Sequence, residues 1–469
     1  MSGVARDHGL SRGEWIALAA AIVIAHLFYW RIVVYPSAFD AQNYFDIAAD
    51  IDRNGLFSKF YYSDIRTYGY PLLLALLSRA ANLSGISVGF LLFETQLTLY
   101  LLAAYGVRRE LVGLWPALAT WAFIGIVLNV FALSYTPESL TESVSLSLLL
   151  VATACWLALL AGPTTWRPVL AGSIAVGAAV MVRPANLFAL ATWTLAVAAV
   201  CFARRPTARA LSTIIVALLV GVLLPMLPQY INNVRHYGKH TALVAAPLGY
   251  NQQIWGIPYL KYATALPPVP NPSIFYENPF ASAGPVDEER PLAWYAKHPL
   301  SGALTLGLHI FNMLDQDLLF TYSRDLDPWY RIPLGILNHL LVATALLGIA
   351  LLIVRARHDR LCALAAGAAI LYIVSHIALH ATTAVEMRFG LPLLLLAGPA
   401  ALAAIRELAH VRASRRVALA SLAVVGYTTA ALLLSDWVRQ QAPSIRAWEA
   451  AHATALTESN GAILRSTMR

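Results

Sequence analysis

The sequence predicts an all-α polytopic membrane protein of about eleven transmembrane helices, with interfacial helices on its outer face. Three observations predict it. Apolar residues make up 59% of the 469-residue chain and charged residues only 12%, at a mean hydropathy of +0.62. The apolar residues gather into runs of about twenty, the length that crosses a hydrocarbon core of about 30 Å. Basic residues concentrate in the short connections between those runs, where they set orientation. The net charge of +8 is therefore a matter of topology, with attraction to anionic headgroups as an open second contribution. Nucleic acid is not an expected partner; membrane lipids are.

The spans run in order over about 15–34, 86–107, 114–133, 140–161, 168–183, 185–203, 210–228, 332–354, 361–380, 389–405 and 416–436. The first follows a polar N-terminus and is too long for a signal-peptide core, so it reads as a retained anchor. Cys155, Cys201 and Cys362 lie in or beside spans at no metal-binding spacing and read as packing residues. Two further apolar stretches, 68–84 and 301–320, are decided by charge. If neither crosses, the clusters Arg6/Arg12, Arg108/Arg109, Arg167, Arg204/Arg205/Arg209, Arg355/Arg357/Arg360 and Arg406/Arg412/Arg415/Arg416 all share the cytoplasmic side. If 68–84 alone crossed, every later cluster would face outward. Both are therefore interfacial or re-entrant helices. His309, Asn312, Asp315, Gln316 and Asp317 make 301–320 a poor lipid-facing span in any case.

Residues 1–437 thus form a single transmembrane domain whose outer loops, 35–85 and 229–331, cap an active site. Residues 438–469 form a polar tail, a surface helix and then disorder. The outer face collects most of the acids, amides and isolated arginines. Asp40 ends the first span, where an apolar surface raises a carboxylate's proton affinity toward that of a general base; the alternative is a helix cap. Asp46 follows in a supporting position. Arg66 opens Arg66-Thr67-Tyr68-Gly69-Tyr70-Pro71, where Gly69 permits a sharp entry and Pro71 suits a first helical turn. Its guanidinium fits either a phosphate or lipid headgroups. Glu138 sits at a membrane edge, open to a hydroxyl; Glu142 reads as an acid in a first helical turn. Arg183 stands between two apolar runs, as a functional intramembrane charge or a snorkelling one. Asn233, Arg235, Lys239 and Asn251 belong to a stretch where amides, aromatic rings and cations interleave, as sugar and phosphate recognition requires, or as any solvated loop does. Glu386 and Arg388 either satisfy each other or face a cavity. No HExxH or similar metal spacing occurs.

Taken together these motifs resemble the GT-C superfamily of integral-membrane glycosyltransferases, most closely the branch of protein O-mannosyltransferases and aminoarabinose transferases. Asp40, Tyr44 and Ala48 resemble its Asp-x-x-x-Tyr-x-x-x-Ala pattern. Arg66 to Pro71 resembles its Arg-x-Pro-Gly-Tyr-Pro segment. Pro137-Glu138-Ser139 and Arg183-Pro184 match its middle spans, and Glu386 to Pro392 resembles its Glu-x-Arg-Tyr-x-x-Pro segment. Tyr68 stands where proline is usual and Phe389 where tyrosine is usual. The likeness covers about residues 10–410 and implies a GT-C-like bundle.

The resemblance implies an inverting transfer of one sugar from a polyprenyl-phosphate donor to a lipid, glycan or protein acceptor. Asp40 is then the catalytic base. Arg66, Arg183, Arg235, Arg388 and Lys239 hold the donor phosphate, with Lys261 a lesser candidate. Tyr44, Asp46, Tyr70, Glu138, Asn233, Asn251 and Glu386 contact sugar or acceptor. It implies no catalytic metal, because arginines can hold a single phosphate; the residues themselves leave a divalent cation open. The expected location is a bacterial inner membrane, N-terminus cytoplasmic, active site outside. Two other classes fit less well. A transporter or flippase of lipid-linked sugars places its polar sites near the midplane. A polymerase or ligase of lipid-linked glycans shares the outer arginines but does not call for an acid after the first span.

Overall fold

The computed structural model describes residues 9–31, 39–59, 64–266, 269, 272–287, 289–410 and 415–448. Arg6, Arg412 and most of the expected tail, 449–469, lie outside the described residues. The helices are α1 (Arg12–Arg31), α2 (Phe39–Asn54), α3 (Gly69–Ser84), α4 (Val88–Leu114), α5 (Pro116–Val127), α6 (Val130–Leu133), α7 (Glu142–Ala161), α8 (Trp166–Val182), α9 (Leu187–Arg204) and α10 (Ala208–Tyr237). Then come α11 (Leu248–Trp255), strands β1 (Tyr259–Ala265) and β2 (Ser273–Glu277), α12 (Pro291–Lys297), α13 (Pro299–Leu314) and strand β3 (Tyr322–Ser323). The last helices are α14 (Arg331–Ala356), α15 (Arg360–His380), α16 (Leu391–His410) and α17 (Arg415–Arg439).

The chain is a mostly helical, multi-pass membrane protein. Among the described residues, 9 helices are long and apolar enough to cross a bilayer. The other two predicted spans are shorter helices. One is α8. The other, 114–133, is broken after α5, where the Asn129 side chain caps α6 through Ala132 N–H at 3.2 Å and donates to Leu394 C=O at 2.9 Å. An amide that replaces a missing ladder bond lets a broken helix survive in an apolar bundle. Helices α3 and α13 have 16 residues each, about 24 Å, short of a full crossing. Helix α3 ends at Gly85, whose φ of 72° takes the left-handed C-cap conformation.

Two compact units divide the chain. The first comprises Met1–Leu248, Leu341–Leu379 and Leu391–Ala418; the second comprises Gly249–Leu340, His380–Gly390 and Leu419–Arg469. In the first, α8 packs on α10 and α7, α7 on α4, and α16 on α5. Its core gathers Leu149, Val176, Ala179, Phe188, Trp193 and Ile214. Small residues allow this closeness: at Gly221 in α10 a Cβ would stand 2.5 Å from Ser173 Cβ in α8. Several connector arginines are structural. Arg108 grips Glu14 through two bonds, at 2.6 and 3.0 Å, tying α4 to α1. Arg204 donates to Leu160 C=O at 2.6 Å and Arg360 to Ala203 C=O at 2.5 Å. Those carbonyls belong to last helical turns, which lack partners within the helix.

The second unit holds a sheet that the sequence reading did not anticipate, in the order β2-β1-β3. Strand β1 runs antiparallel to β2 and parallel to β3. The sheet's core includes Leu260, Ile274, Tyr276 and Leu308, joined by Val438, Ala442 and Ile445. The first residues of the segment expected as a surface tail are therefore packed, and Glu277 N–H donates to Gln441 C=O at 3.0 Å. Residues 380–390 lie along β1, with Tyr262 N–H donating to Val385 C=O at 2.8 Å.

Candidate active site

At one end of the first unit, the start of α2, the entry to α3, the turn before α7 and the end of α8 bring acids and arginines together. The entry to α3 is pinned from both sides. A Cβ on Gly69 would stand 2.5 Å from Met181 C=O, so only glycine lets this loop press against the end of α8. Tyr68 N–H donates to Gln229 Oε1 at 3.2 Å, and its hydroxyl donates to Pro225 C=O at 2.5 Å in α10. Proline, which lacks both donors, could make neither bond. Tyr68 is thus an anchor.

From that anchor a continuous set of contacts begins. Arg66 forms an ion pair with Asp40; their side chains are 22% and 24% exposed. The Arg66 guanidinium lies 5.3 Å from the centre of the Tyr44 ring, a cation–π contact. Tyr44 meets Tyr70 edge to face at 5.2 Å. Tyr70 is fully buried, and its hydroxyl has no hydrogen-bond partner within the chain. Burial, then Glu142, Tyr44 and Glu138, push its phenol well above the usual range, so it remains an O–H donor. Glu142 forms an ion pair with Arg183; their side chains are 2% and 14% exposed. Gln96 holds the turn before α7 by donating to Thr136 and Glu138 C=O, both at 2.9 Å. Ser139 and Ser143, beside the two glutamates in sequence, are buried with hydroxyls that lack partners within the chain.

Asp40, Tyr44, Arg66, Tyr70, Glu138 and Arg183 thus lie together at this end of the first unit. Asp40 and Arg66, expected as base and phosphate ligand, are bound to each other here. Asn233 is held elsewhere. Its amide donates to Thr241 and Leu243 C=O at 2.8 and 2.5 Å and accepts from Gln229 at 3.1 Å, which spends it on closing the turn after α10. Asp46 accepts from Gln42 at 2.5 Å on its own helix. Arg235 and Lys239 are exposed at the end of α10, outside this chain of contacts.

Asn251, Glu386 and Arg388 belong to the second unit. Asn251 is exposed on α11. Arg388 pairs with the buried Glu386 at 2.6 Å. Phe389 packs on His380 and Tyr262, with ring centres at 5.5 and 6.3 Å. Lys261 is fully committed: it reaches Asp317 at 2.8 Å and Asp315 at 3.6 Å. Burial lowers its proton affinity, Asp317 and Asp315 raise it, and the carboxylates win. Among the described residues no three His, Cys, Asp or Glu side chains are grouped as metal ligands.

Sequence reasoning missed Glu142, whose place in a first helical turn explained it locally. It also gave no role to Ser139 and Ser143. The available signal was spacing: Glu138, Ser139, Glu142 and Ser143 repeat a polar pair one helical turn apart, in a chain poor in polar residues.

No family model matches the chain, and no curated protein matches it. Among solved structures, it is similar to the crystal structure of the Archaeoglobus fulgidus oligosaccharyltransferase tethered with an acceptor peptide containing the NVT sequon. The TM-score is 0.49 at 14% identity, covering 91% of this chain and 55% of that chain. This chain thus spans about half the length of that protein.

The site's chemistry follows from its parts. The two arginines can neutralise a phosphate oxyanion, and Asp40 can take a proton from a hydroxyl. Tyr70, Ser139 and Ser143 offer hydrogen bonds to a polar ligand.

Proposed function

We propose that this protein is an inverting GT-C-type glycosyltransferase, moving one sugar from a polyprenyl-phosphate donor to a hydroxyl of a lipid, glycan or protein. The observation that carries this reading is the Asp40–Arg66 pair, partly exposed and continuous through Tyr44 with the unsatisfied Tyr70 hydroxyl. When the donor arrives, its phosphate competes for Arg66 and releases Asp40. The freed carboxylate takes the acceptor's hydroxyl proton. The acceptor oxygen bonds to the anomeric carbon as the bond from that carbon to the phosphate oxygen breaks. The electron pair leaves with polyprenyl phosphate, whose charge Arg66 and Arg183 stabilise. Coupling the base to donor binding keeps Asp40 engaged until a sugar is in place. Glu142 orients Arg183, while Tyr70, Glu138, Ser139 and Ser143 receive sugar hydroxyls.

The positions of these residues support an enzyme over a carrier: they lie at helix ends, not at broken helices in mid-span. The helix order supports an outer-face site. Arg109, Arg204, Arg355 and Arg360 lie at the helix ends opposite the cluster, and basic ends stay inside. The reading places the N-terminus in the cytoplasm of a bacterial inner membrane. Reporter fusions after Arg109 and after Lys239 then report opposite sides; the same side for both overturns the orientation.

The reaction is tested with purified protein, a panel of polyprenyl-phosphate hexoses and pentoses, and lipid, glycan and peptide hydroxyl acceptors supplied with each, measuring release of polyprenyl phosphate. Wild type releases it with at least one donor. Asp40→Asn, folded, loses about 10²–10⁴ in rate. Undiminished release by Asp40→Asn removes Asp40 as the base, and no release from any donor by wild type removes the reaction class.

A further inference from the structure

The first unit also contains a cavity of about 850 Å³ with no part in the proposed transfer. Its walls come from α4, α5, α7, α8, α9, α14, α15 and α16, with Leu111, Trp193, Leu352, Tyr372 and Leu395 among the lining side chains. It follows α16 from Pro392 to Glu407, about 22 Å along the helix. A cavity this long and apolar, in a helical bundle, fits a hydrocarbon chain and not a polar metabolite.

Its two ends differ. The end toward the connectors is rimmed by Arg355, His358, Asp359, Arg406 and Glu407. Arg355 and Arg406 both reach the Glu407 carboxylate, at 2.5 and 3.3 Å. Asp359 is occupied as a helix cap, accepting from Leu361 N–H at 2.8 Å. Two guanidiniums at one mouth of an apolar cavity suit a phosphate, and basic pockets between transmembrane helices bind anionic headgroups.

A second observation narrows the ligand. Trp156 lines the cavity, and its indole Nε1 is buried with no hydrogen-bond partner within the chain. That atom can only donate. Hydrocarbon offers it nothing, and neither does an isoprenoid phosphate below its headgroup. An acyl ester carbonyl, set just beneath a phosphate, accepts it.

We propose that this cavity binds an acidic glycerophospholipid from the leaflet facing the arginine-rich connectors. Its acyl chain fills the space along α16, an ester carbonyl accepts from Trp156, and its phosphate sits at Arg355 and Arg406. The lipid takes no part in sugar transfer, so the site stands or falls independently of that reaction.

The test is native mass spectrometry of the full chain, delipidated in detergent and titrated with phosphatidylglycerol or phosphatidylcholine. Wild type shows a phosphatidylglycerol adduct at least tenfold more abundant than the phosphatidylcholine adduct. Ala369→Phe and Ala196→Phe, which fill the cavity from different helices, each reduce that adduct at least tenfold. The pair keeps the test decisive if one variant fails to fold. Arg355→Gln/Arg406→Gln brings the two lipids to equal occupancy, and Trp156→Phe lowers phosphatidylglycerol occupancy several-fold. Equal binding of both lipids by wild type, undiminished adduct in a folded filled variant, or full occupancy in Trp156→Phe overturns the proposal. So does a polyprenyl phosphate as the lipid retained by the protein as first purified.

Discussion

Asp40–Arg66 and Glu142–Arg183 in the first unit, and Lys261 with Asp315 and Asp317 in the second, use the same side-chain chemistry in different surroundings. Around Lys261 the three charged side chains answer one another, while Nδ1 of the neighbouring His339 is buried with no hydrogen-bond partner within the chain. Its side chain is 1% exposed and those of Asp315 and Asp317 are 3% and 9% exposed. Ser435 donates to Asp315 at 2.9 Å, and His339 stands 3.3 Å from it. Around Asp40 the account stays open: the pair is about a quarter exposed, and Tyr70, Ser139 and Ser143 hold buried hydroxyls without partners. A group whose charges are buried and paired with one another has little charge left to offer a ligand, so its energy goes into the fold. An open one costs the fold something and gains only when a ligand completes it. The difference separates a structural cluster from a candidate site more sharply than the residue types do.

Exchanging one member of each group is the strongest way to break this comparison. Lys261→Met leaves two buried carboxylates without their cation and costs about 3–5 kcal/mol of stability, read as loss of folded protein on heating in detergent. Asp40→Asn costs less, about 1–2 kcal/mol, because a quarter-exposed pair keeps part of its solvation, while removing transfer. If Asp40→Asn unfolds the protein and Lys261→Met does not, the assignment of roles is reversed. The pH dependence sharpens the same point. Lys261 and His339 hold the Asp315 carboxyl below the ordinary carboxylate range against its burial. A carboxylate with a lowered folded value stabilises above its unfolded pKa of about 3.9 and loses that contribution as pH falls through the folded value. In Lys261→Met the carboxylates keep their burial and lose that cation, so they bind protons in the folded state as pH falls; the stability gap to wild type is therefore widest at neutral to mildly alkaline pH and narrows steadily on acidification.

A subtler variant acts on position alone. Gly69→Ala adds a Cβ 2.5 Å from a backbone carbonyl of α8, which cannot rotate away as a side chain could. The cost is about 1–3 kcal/mol of overpacking, with a fall in transfer rate although no functional group has changed. Unchanged activity in Gly69→Ala would show that the contact between α3 and α8 does not set the geometry of Arg66 relative to Arg183.

How much of this was legible in the sequence depends on the range over which each feature is determined. The spans were legible because hydropathy and length are local, and the short helices α3 and α13 because charge parity left no other place for them. Asp40, Arg66, Glu138 and Arg183 stood out as charges at helix ends in a chain with few charges. Their pairings were not legible. Glu142 meets Arg183 across 41 positions and Lys261 meets Asp317 across 56, and neither spacing belongs to a periodicity. Asn233 looked like a sugar ligand because an amide's chemistry is visible in sequence and its saturation by Thr241 and Leu243 is not. The break at Asn129 was hidden inside a run that reads as one apolar span.

The smallest expected effect is the most specific to the open cluster. Tyr70→Phe deletes one oxygen and keeps the ring that packs on Tyr44. In a closed cluster that deletion would strand a partner and destabilise the protein. Here the hydroxyl has no partner within the chain, so its loss leaves stability unchanged or slightly raises it. If a sugar hydroxyl completes the bond, the variant loses about tenfold in transfer, about 1.4 kcal/mol at the transition state. The loss falls on kcat if the bond forms only as the sugar reacts and on KM if it forms on binding. Melting temperature and kinetics measured together distinguish the outcomes. A destabilised Tyr70→Phe with normal kinetics would make Tyr70 a core residue and the cluster a second structural group like the one around Lys261.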